Sequence, residues 1–200
     1  KGRQAAELAA RSQLPVYPLG PLEASPEHLR YRRLSVTGIL EAEGQILLEN
    51  RRQGGRTGFH VITPLRIAGG DVRVLVNRGW IPADAKGRPI PAPVPQGTRT
   101  LTGEAHIPTL PAMVLHGGSD AASAWGERWP YLTTGLYQAR AAYPVQPLVI
   151  LMDPMEQDGF ERSWPREMPK EGMHIGYAVQ WFAFAAIALG IWLRLSLERS

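Results

Sequence analysis

The chain of 200 residues contains no cysteine. This excludes disulfides, thiolate metal sites, c-type haem attachment and thiol redox chemistry. It leaves the compartment open, because a cysteine-free domain is permitted on either side of a membrane. Several enzyme signatures are also missing: there is no nucleophile elbow, phosphate-cradling loop or HExxH. The histidines, at positions 28, 60, 106, 116 and 174, are far apart in sequence. Acidic pairs such as Glu41 and Glu43 fall at strand ends, where solvated charges are ordinary. No enzymatic activity is expected. The net charge is only +4 and the arginines are scattered. Without a dense basic run and interleaved aromatics, no nucleic-acid partner is expected either.

Charge is absent from one long stretch, Gly176 to Leu193, in which Gln180 is the only strongly polar side chain. A helix of that length spans roughly 27 Å at about 1.5 Å per residue, close to the thickness of a bilayer's hydrocarbon. Tyr177 and Trp181 stand near one end and Trp192 at the other, where amphipathic rings favour the interface. The alternative is a buried core helix. A run apolar on every face points instead to a membrane-spanning helix over 174–194, with 195–200 as a cytoplasmic tail. The mean hydropathy of -0.18 then averages a soluble domain with one hydrophobic helix.

The rest is rich in turn-formers, with 18 prolines and 21 glycines. Lys1 to Gln13 holds strong helix formers and ends at Leu14-Pro15, where an extended proline-rich connector begins. Ser25-Pro26 has the residues of a helix start and predicts one short turn. Arg33 to Leu40 alternates apolar and polar residues as a half-buried strand does. Gln45 to Asn50 reads as its hairpin partner after Glu43-Gly44. A glycine-rich loop from Gln53 to Gly58 leads to a strand from Phe59 to Ile67. Ala68 to Asp71 predicts a turn, Val72 to Pro82 a further strand, and 83–97 a loop. Thr98 to Ile107 predicts a strand, Leu132 to Tyr143 a helix, and Val145 to Met152 a strand of buried type. The class expected is α+β: a β-rich, mostly antiparallel sheet or barrel outside the membrane, followed by the C-terminal transmembrane helix.

The chain opens on Lys1 without an initiator methionine, so a preceding segment is expected. Charge counting does not decide topology. Arg194 and Arg199 follow the apolar stretch, but Arg162, Arg166 and Lys170 precede it.

Three stretches together resemble the surfeit locus protein 1 family of cytochrome c oxidase assembly factors. They are Gly58-Phe59-His60-Val61-Ile62-Thr63-Pro64-Leu65, then Val74-Leu75-Val76-Asn77-Arg78-Gly79-Trp80-Ile81-Pro82, then His174-Ile175-Gly176-Tyr177-Ala178-Val179-Gln180-Trp181-Phe182. The resemblance implies two transmembrane helices flanking a domain in the periplasm or intermembrane space. A first helix would then precede Lys1. The expected division is a lead-in over 1–23, a β-rich periplasmic domain over 24–153, a membrane-proximal linker over 154–173, then the helix and tail. For a bacterial-type member the expected place is the inner membrane, multi-pass. The resemblance also implies a chaperone role in maturing an aa3-type haem–copper oxidase. The implied partners are the lipid bilayer, oxidase subunit I and other subunits or assembly factors. Some members are associated with haem a, held by a histidine beside the second membrane helix. His174 matches that position.

On a helical wheel His174, Tyr177, Ala178, Trp181 and Ala185 share one face, at about 100° per residue. A haem needs an axial nitrogen and a flat wall excluding water. His174 as ligand with Tyr177 and Trp181 as wall would supply both. An interfacial histidine within an ordinary aromatic belt and a small-residue packing face is the other reading. Gln180 falls on a different face and would bond another helix or stay wet near the headgroups. Arg78 suits a haem propionate, a client carboxylate or a structural salt bridge. Trp80 is expected in the core and Gly79 in a backbone conformation other residues resist. His60 is expected to be superficial or satisfied. A scaffold that never touches haem is the alternative function. A Cu(I) carrier using Met152, Met155, Met168, Met173 and His174 is a weaker one, lacking any CxxC or tight methionine repeat.

Overall fold

Alternation along the chain produces eight strands, which we number in order: β1 (Tyr17–Pro18), β2 (Arg33–Leu40), β3 (Ile46–Gln53), β4 (Arg56–Ile67), β5 (Arg73–Pro82), β6 (Thr98–His106), β7 (Arg128–Trp129) and β8 (Val145–Met152). A short α-helix, α1 (Thr134–Gln138), and a 3₁₀ turn at Pro26–Leu29 accompany them in the described part of the first unit. The architecture comes from a computed structural model describing residues 10–11, 13–21, 26–109, 128–156, 158, 160–164, 180–185, 187, 190–192, 194 and 196–197. The chain divides into two units, Lys1–Trp164 and Pro165–Ser200.

In the first unit, β2, β6, β8, β5 and β4 pair in that order, and β4 returns to β2 through Gly38↔Ile67, Ile39↔Arg66 and Leu40↔Leu65. The ring is therefore a closed barrel, which leaves no open edge among its walls. Gly38 permits the closure, since a Cβ there would lie 2.1 Å from the Arg66 carbonyl oxygen. All ring pairings are antiparallel except β5 with β8. Leu34, Val36 and Leu40 of β2, Leu65 and Ile67 of β4, Val74 and Val76 of β5, Leu101 of β6, and Leu148 and Ile150 of β8 fill the interior. Each fully buried aliphatic of this kind contributes about 1.5–3 kcal/mol.

A second apolar layer explains why β5 and β8 lack clean alternation. Leu75 and Val149 turn outward, where they meet Ile46, Leu48 and Ile62 under Trp129, Leu132 and Tyr137. Both strands are thus covered on two faces.

Two expectations need correction. Residues 45–50 do form a strand, but β3 pairs with β4 and β7 and not with β2. Gly54 and Gly55 both take positive φ (54° and 78°). The expected glycine loop is therefore a tight turn that joins β3 to β4 as a hairpin. The helix expected over 132–143 covers only Thr134–Gln138. Thr133 caps its start, accepting from the Leu136 N–H at 3.1 Å. At its end the Gln138 side chain bonds the Tyr143 carbonyl (3.0 Å) and the Val145 N–H (2.6 Å), so the chain has already turned toward β8.

In the second unit, Gln180–Ala185, Ile187, Gly190–Trp192, Arg194 and Ser196–Leu197 are helical, and all are exposed. Among the described residues, no helix is long and apolar enough to cross a membrane. The stretch expected to span one, 174–194, falls in part outside the described residues.

Candidate functional site

Two of the three singled-out stretches are neighbouring strands. β4 carries Gly58 to Leu65 and β5 carries Val74 to Pro82, paired from Gly58↔Pro82 to Arg66↔Arg73. The register slips between Val61 and Ile62: Val61 faces Gly79 while Ile62 faces Asn77. Arg78 is the extra residue of a β-bulge, a device that re-aims a side chain.

The bulge sends Arg78 into the protein, where it is 1% exposed. Its Nε donates to Asp158 Oδ2 at 3.2 Å, Nη1 to Gln45 Oε1 at 3.3 Å and Nη2 to the Pro93 carbonyl at 2.9 Å. Gln45 is held in place by Thr63 Oγ1, which donates to the same Oε1 at 2.8 Å, and by its own Nε2 donating to the Ala92 carbonyl at 3.0 Å. The guanidinium also stacks on Phe160, 4.6 Å from the ring centroid. Burial, and then the nearby Arg99, lower its pKa to about 10, so it stays cationic at neutral pH.

Asp158 and Phe160 belong to a strap, described at residues 156, 158 and 160–164, that folds back over the end of β5. Trp80 and Glu161 exchange backbone hydrogen bonds, Trp80 N–H to Glu161 O at 2.7 Å and the reverse at 3.1 Å. Arg162 donates from Nε to the Arg78 carbonyl at 2.7 Å, bonds the Glu156 carbonyl through Nη1, and pairs with the other oxygen of Asp158. The Asp158 and Arg162 side chains are each only 3% exposed. One buried carboxylate therefore lies between two buried guanidiniums. The Trp164 indole donates to the Met152 carbonyl at 2.9 Å.

Each residue of Asn77-Arg78-Gly79-Trp80 serves this clasp. Gly79 sits at φ 132°, and a Cβ there would come within 2.8 Å of Phe160 Cβ and 2.9 Å of the Glu161 carbonyl oxygen. Trp80 is 1% exposed and donates from its indole to the Arg51 carbonyl at 2.8 Å. Asn77 Oδ1 accepts from the Gly79 N–H at 3.2 Å, which turns its Nδ2 toward His60 Nδ1 at 3.3 Å. The His60 ring stands edge-on to Trp164 with centroids 5.6 Å apart. Burial, with Arg51 adding to it, lowers the His60 pKa to about 4.

The expected site residues fare differently. Trp80 is core, Gly79 holds a left-handed-region φ and His60 is satisfied, as the sequence suggested. Arg78 makes the buried salt bridge that was one of its three readings. Asp158, Gln45 and Pro93 each accept from one of its nitrogens, and the side chain is 1% exposed. His174 and Tyr177 lie outside the described residues. Trp181 is on the helix of the second unit, 71% exposed, its ring edge-on to Phe184 at 6.4 Å. Met152 is buried in the barrel core while Met155 is 86% exposed, so these two candidate copper ligands do not converge. Among the described residues, no group of three or more His, Cys, Asp or Glu is placed to hold a metal.

Sequence reasoning missed Gln45, Asp158, Phe160 and Arg162. The one signal available was the run Glu156, Asp158, Glu161, Arg162 within a polar linker, where ordinary solvated charges look the same.

The SURF1 family profile matches residues 1–186. The chain is similar to a "SURF1-like protein" of Monosiga brevicollis, 27% identical over 192 residues, which cover 84% of this chain and 67% of that protein. It is also similar to the "Surfeit locus protein 1" of Arabidopsis thaliana, 39% identical over 71 residues, which cover 31% of this chain and 20% of that protein.

Proposed function

Because the chain belongs to the SURF1 family, we propose that it is an assembly factor for an aa3-type haem–copper oxidase. In this reading it helps deliver haem a to subunit I, or stabilises that subunit while the haem enters. In this reading it sits in the bacterial inner membrane with the barrel in the periplasm. No catalytic step is assigned to it.

The observation that carries the membrane part is the surface of the C-terminal helix. Trp181, Phe182, Phe184, Ile187, Ile191 and Trp192 are each more than half exposed, from 54% to 78%. Large apolar side chains exposed in such number favour a place against lipid or protein.

Haem a is cargo in this scheme. His174 would supply the axial nitrogen and Tyr177 and Trp181 a flat wall that keeps water away. Arg78 is not part of that holder, because its guanidinium is committed to the clasp. That commitment favours, as a second reading, a scaffold that contacts subunit I without touching haem. To separate the two, the protein is purified from cells making haem a and its Soret absorption compared with that of His174→Ala. Loss of the band in the variant supports the ligand role. Equal haem in both contradicts it, and no haem in either supports the scaffold.

A further inference from the structure

The barrel has two unlike ends. Strand β4 is 12 residues long, so the turns at its ends are separated by roughly 36 Å. At one end the turn after β4 holds Asp71, and the nearby Arg66 and Arg73 both pair with Glu41, at 2.9 and 3.0 Å. The other end is the β3–β4 hairpin, Arg51-Arg52-Gln53-Gly54-Gly55-Arg56. Beside it lies the turn containing Asp84, Lys86 and Arg88, joined by the Ala83 N–H to the Thr57 carbonyl at 3.2 Å. A shallow cleft of about 490 Å3 separates the two, bordered by Glu49, Arg56, Asp84, Gly87 and Arg128.

Among the described residues, this hairpin end carries the cations Arg51, Arg52, Arg56, Lys86, Arg88 and Arg128 against the acids Glu49, Asp84 and Glu161. Each acid is already occupied: Glu49 by Arg128 at 3.2 Å, Asp84 by Arg88 at 2.9 Å and Glu161 by Arg56 at 2.6 Å. Arg52 is exposed, and it and Lys86 make no ion pair among the described residues. The hairpin is also fixed to the strap, because Glu161 accepts from Gln53 Nε2 at 3.1 Å as well as from Arg56. The strap holds the last described residues before Pro165–Ser200. The surplus cations therefore lie on the same hairpin end to which the strap is tied through Glu161.

We propose that this end of the barrel, through the exposed Arg52 and Lys86, is a docking surface for anionic phospholipid headgroups. The proposal rests on the reading of Pro165–Ser200 as a membrane anchor. Basic residues held at a negatively charged bilayer are attracted within a Debye length of it. The guanidinium and ammonium groups would take the headgroup phosphates, and the cleft has room for one. Docking would hold the barrel against the bilayer instead of leaving it swinging on its linker.

The absence of cysteine allows single nitroxide labels. The full chain is labelled at Thr57→Cys by the hairpin, Asp71→Cys at the far end or Ile187→Cys in the C-terminal helix. It is reconstituted in nanodiscs of phosphatidylcholine with or without phosphatidylglycerol, and collision with oxygen and with a water-soluble nickel chelate is measured. The Thr57→Cys label should lose nickel collisions when phosphatidylglycerol is present, and Arg52→Ser with Lys86→Ser should abolish that loss. The Asp71→Cys label should stay in water throughout. If Thr57→Cys matches Asp71→Cys in both lipids while Ile187→Cys is oxygen-rich, the docking surface is wrong and the anchor stands. If Ile187→Cys is itself in water, the anchor reading fails and the docking surface with it. A shift at Thr57→Cys seen only on adding oxidase subunits would assign the surface to a protein partner and overturn the proposal.

Discussion

Asn77 presents its amide nitrogen, not its oxygen, to His60 Nδ1, at 3.3 Å. The oxygen is spoken for by the Gly79 N–H at 3.2 Å. A donor facing Nδ1 requires that this nitrogen be unprotonated, so the clasp holds a neutral histidine.

That relationship gives stability a pH dependence. The His60 pKa falls from 6.5 to about 4 on folding, through burial first and Arg51 second. The unfolded chain then binds the proton more readily, so the contribution is present above pH 6.5 and is lost as pH falls to about 4. At about 1.4 kcal/mol per unit the loss is about 3 kcal/mol. Urea unfolding across that range should show a steeper decline for the native chain than for His60→Gln. Parallel curves would show that His60 titrates normally.

The buried charges should respond unequally to removal. Asp158→Ala leaves two guanidiniums without their carboxylate, and breaking a buried pair this way costs about 3–5 kcal/mol. Arg162→Met leaves Arg78 and Asp158 paired one to one, so it should cost less than Asp158→Ala in the same unfolding experiment. The opposite ranking would mean that Arg162, and not Asp158, organises the network.

Gly79 should be intolerant of any side chain. Gly79→Val brings its Cβ within 2.8 Å of Phe160 Cβ, at a φ of 132° that valine resists. The strap is the part that yields, and Arg162, 3% exposed in the closed clasp, then becomes a trypsin site. Limited proteolysis should show faster cleavage after Arg162 in the variant. Unchanged protection would mean that the strap is held by contacts other than those at β5.

Much of the barrel was legible in the sequence because closure leaves each wall strand with a buried inner face. Arg33–Leu40 and Thr98–His106 show this as plain alternation. Partners were less legible than spans. β3 pairs with β4 because two glycines at positive φ make their connection tight, whereas Glu43-Gly44 suggested a turn back to β2. Helix α1 ends early through a tertiary event, the Gln138 side chain capturing residues 143 and 145, which no local propensity encodes. Of the clasp, the β5 half was visible as Asn77-Arg78-Gly79-Trp80. The strap half was not, since a buried Asp158 and Arg162 have the same letters as solvated ones. The membrane-end group of His174, Tyr177 and Trp181 rests on the apolar run and the family resemblance, with Trp181 alone among the described residues.

The most direct test of the account is the amount of assembled aa3 oxidase in membranes of cells lacking this protein. It is read from the reduced-minus-oxidised haem a band and from oxidase activity, with subunit I measured separately. The account predicts that the band falls sharply on deletion, that the native chain restores it, and that His174→Ala restores less. A full haem a band in the deleted cells, with subunit I matured normally and no related protein present, would contradict it.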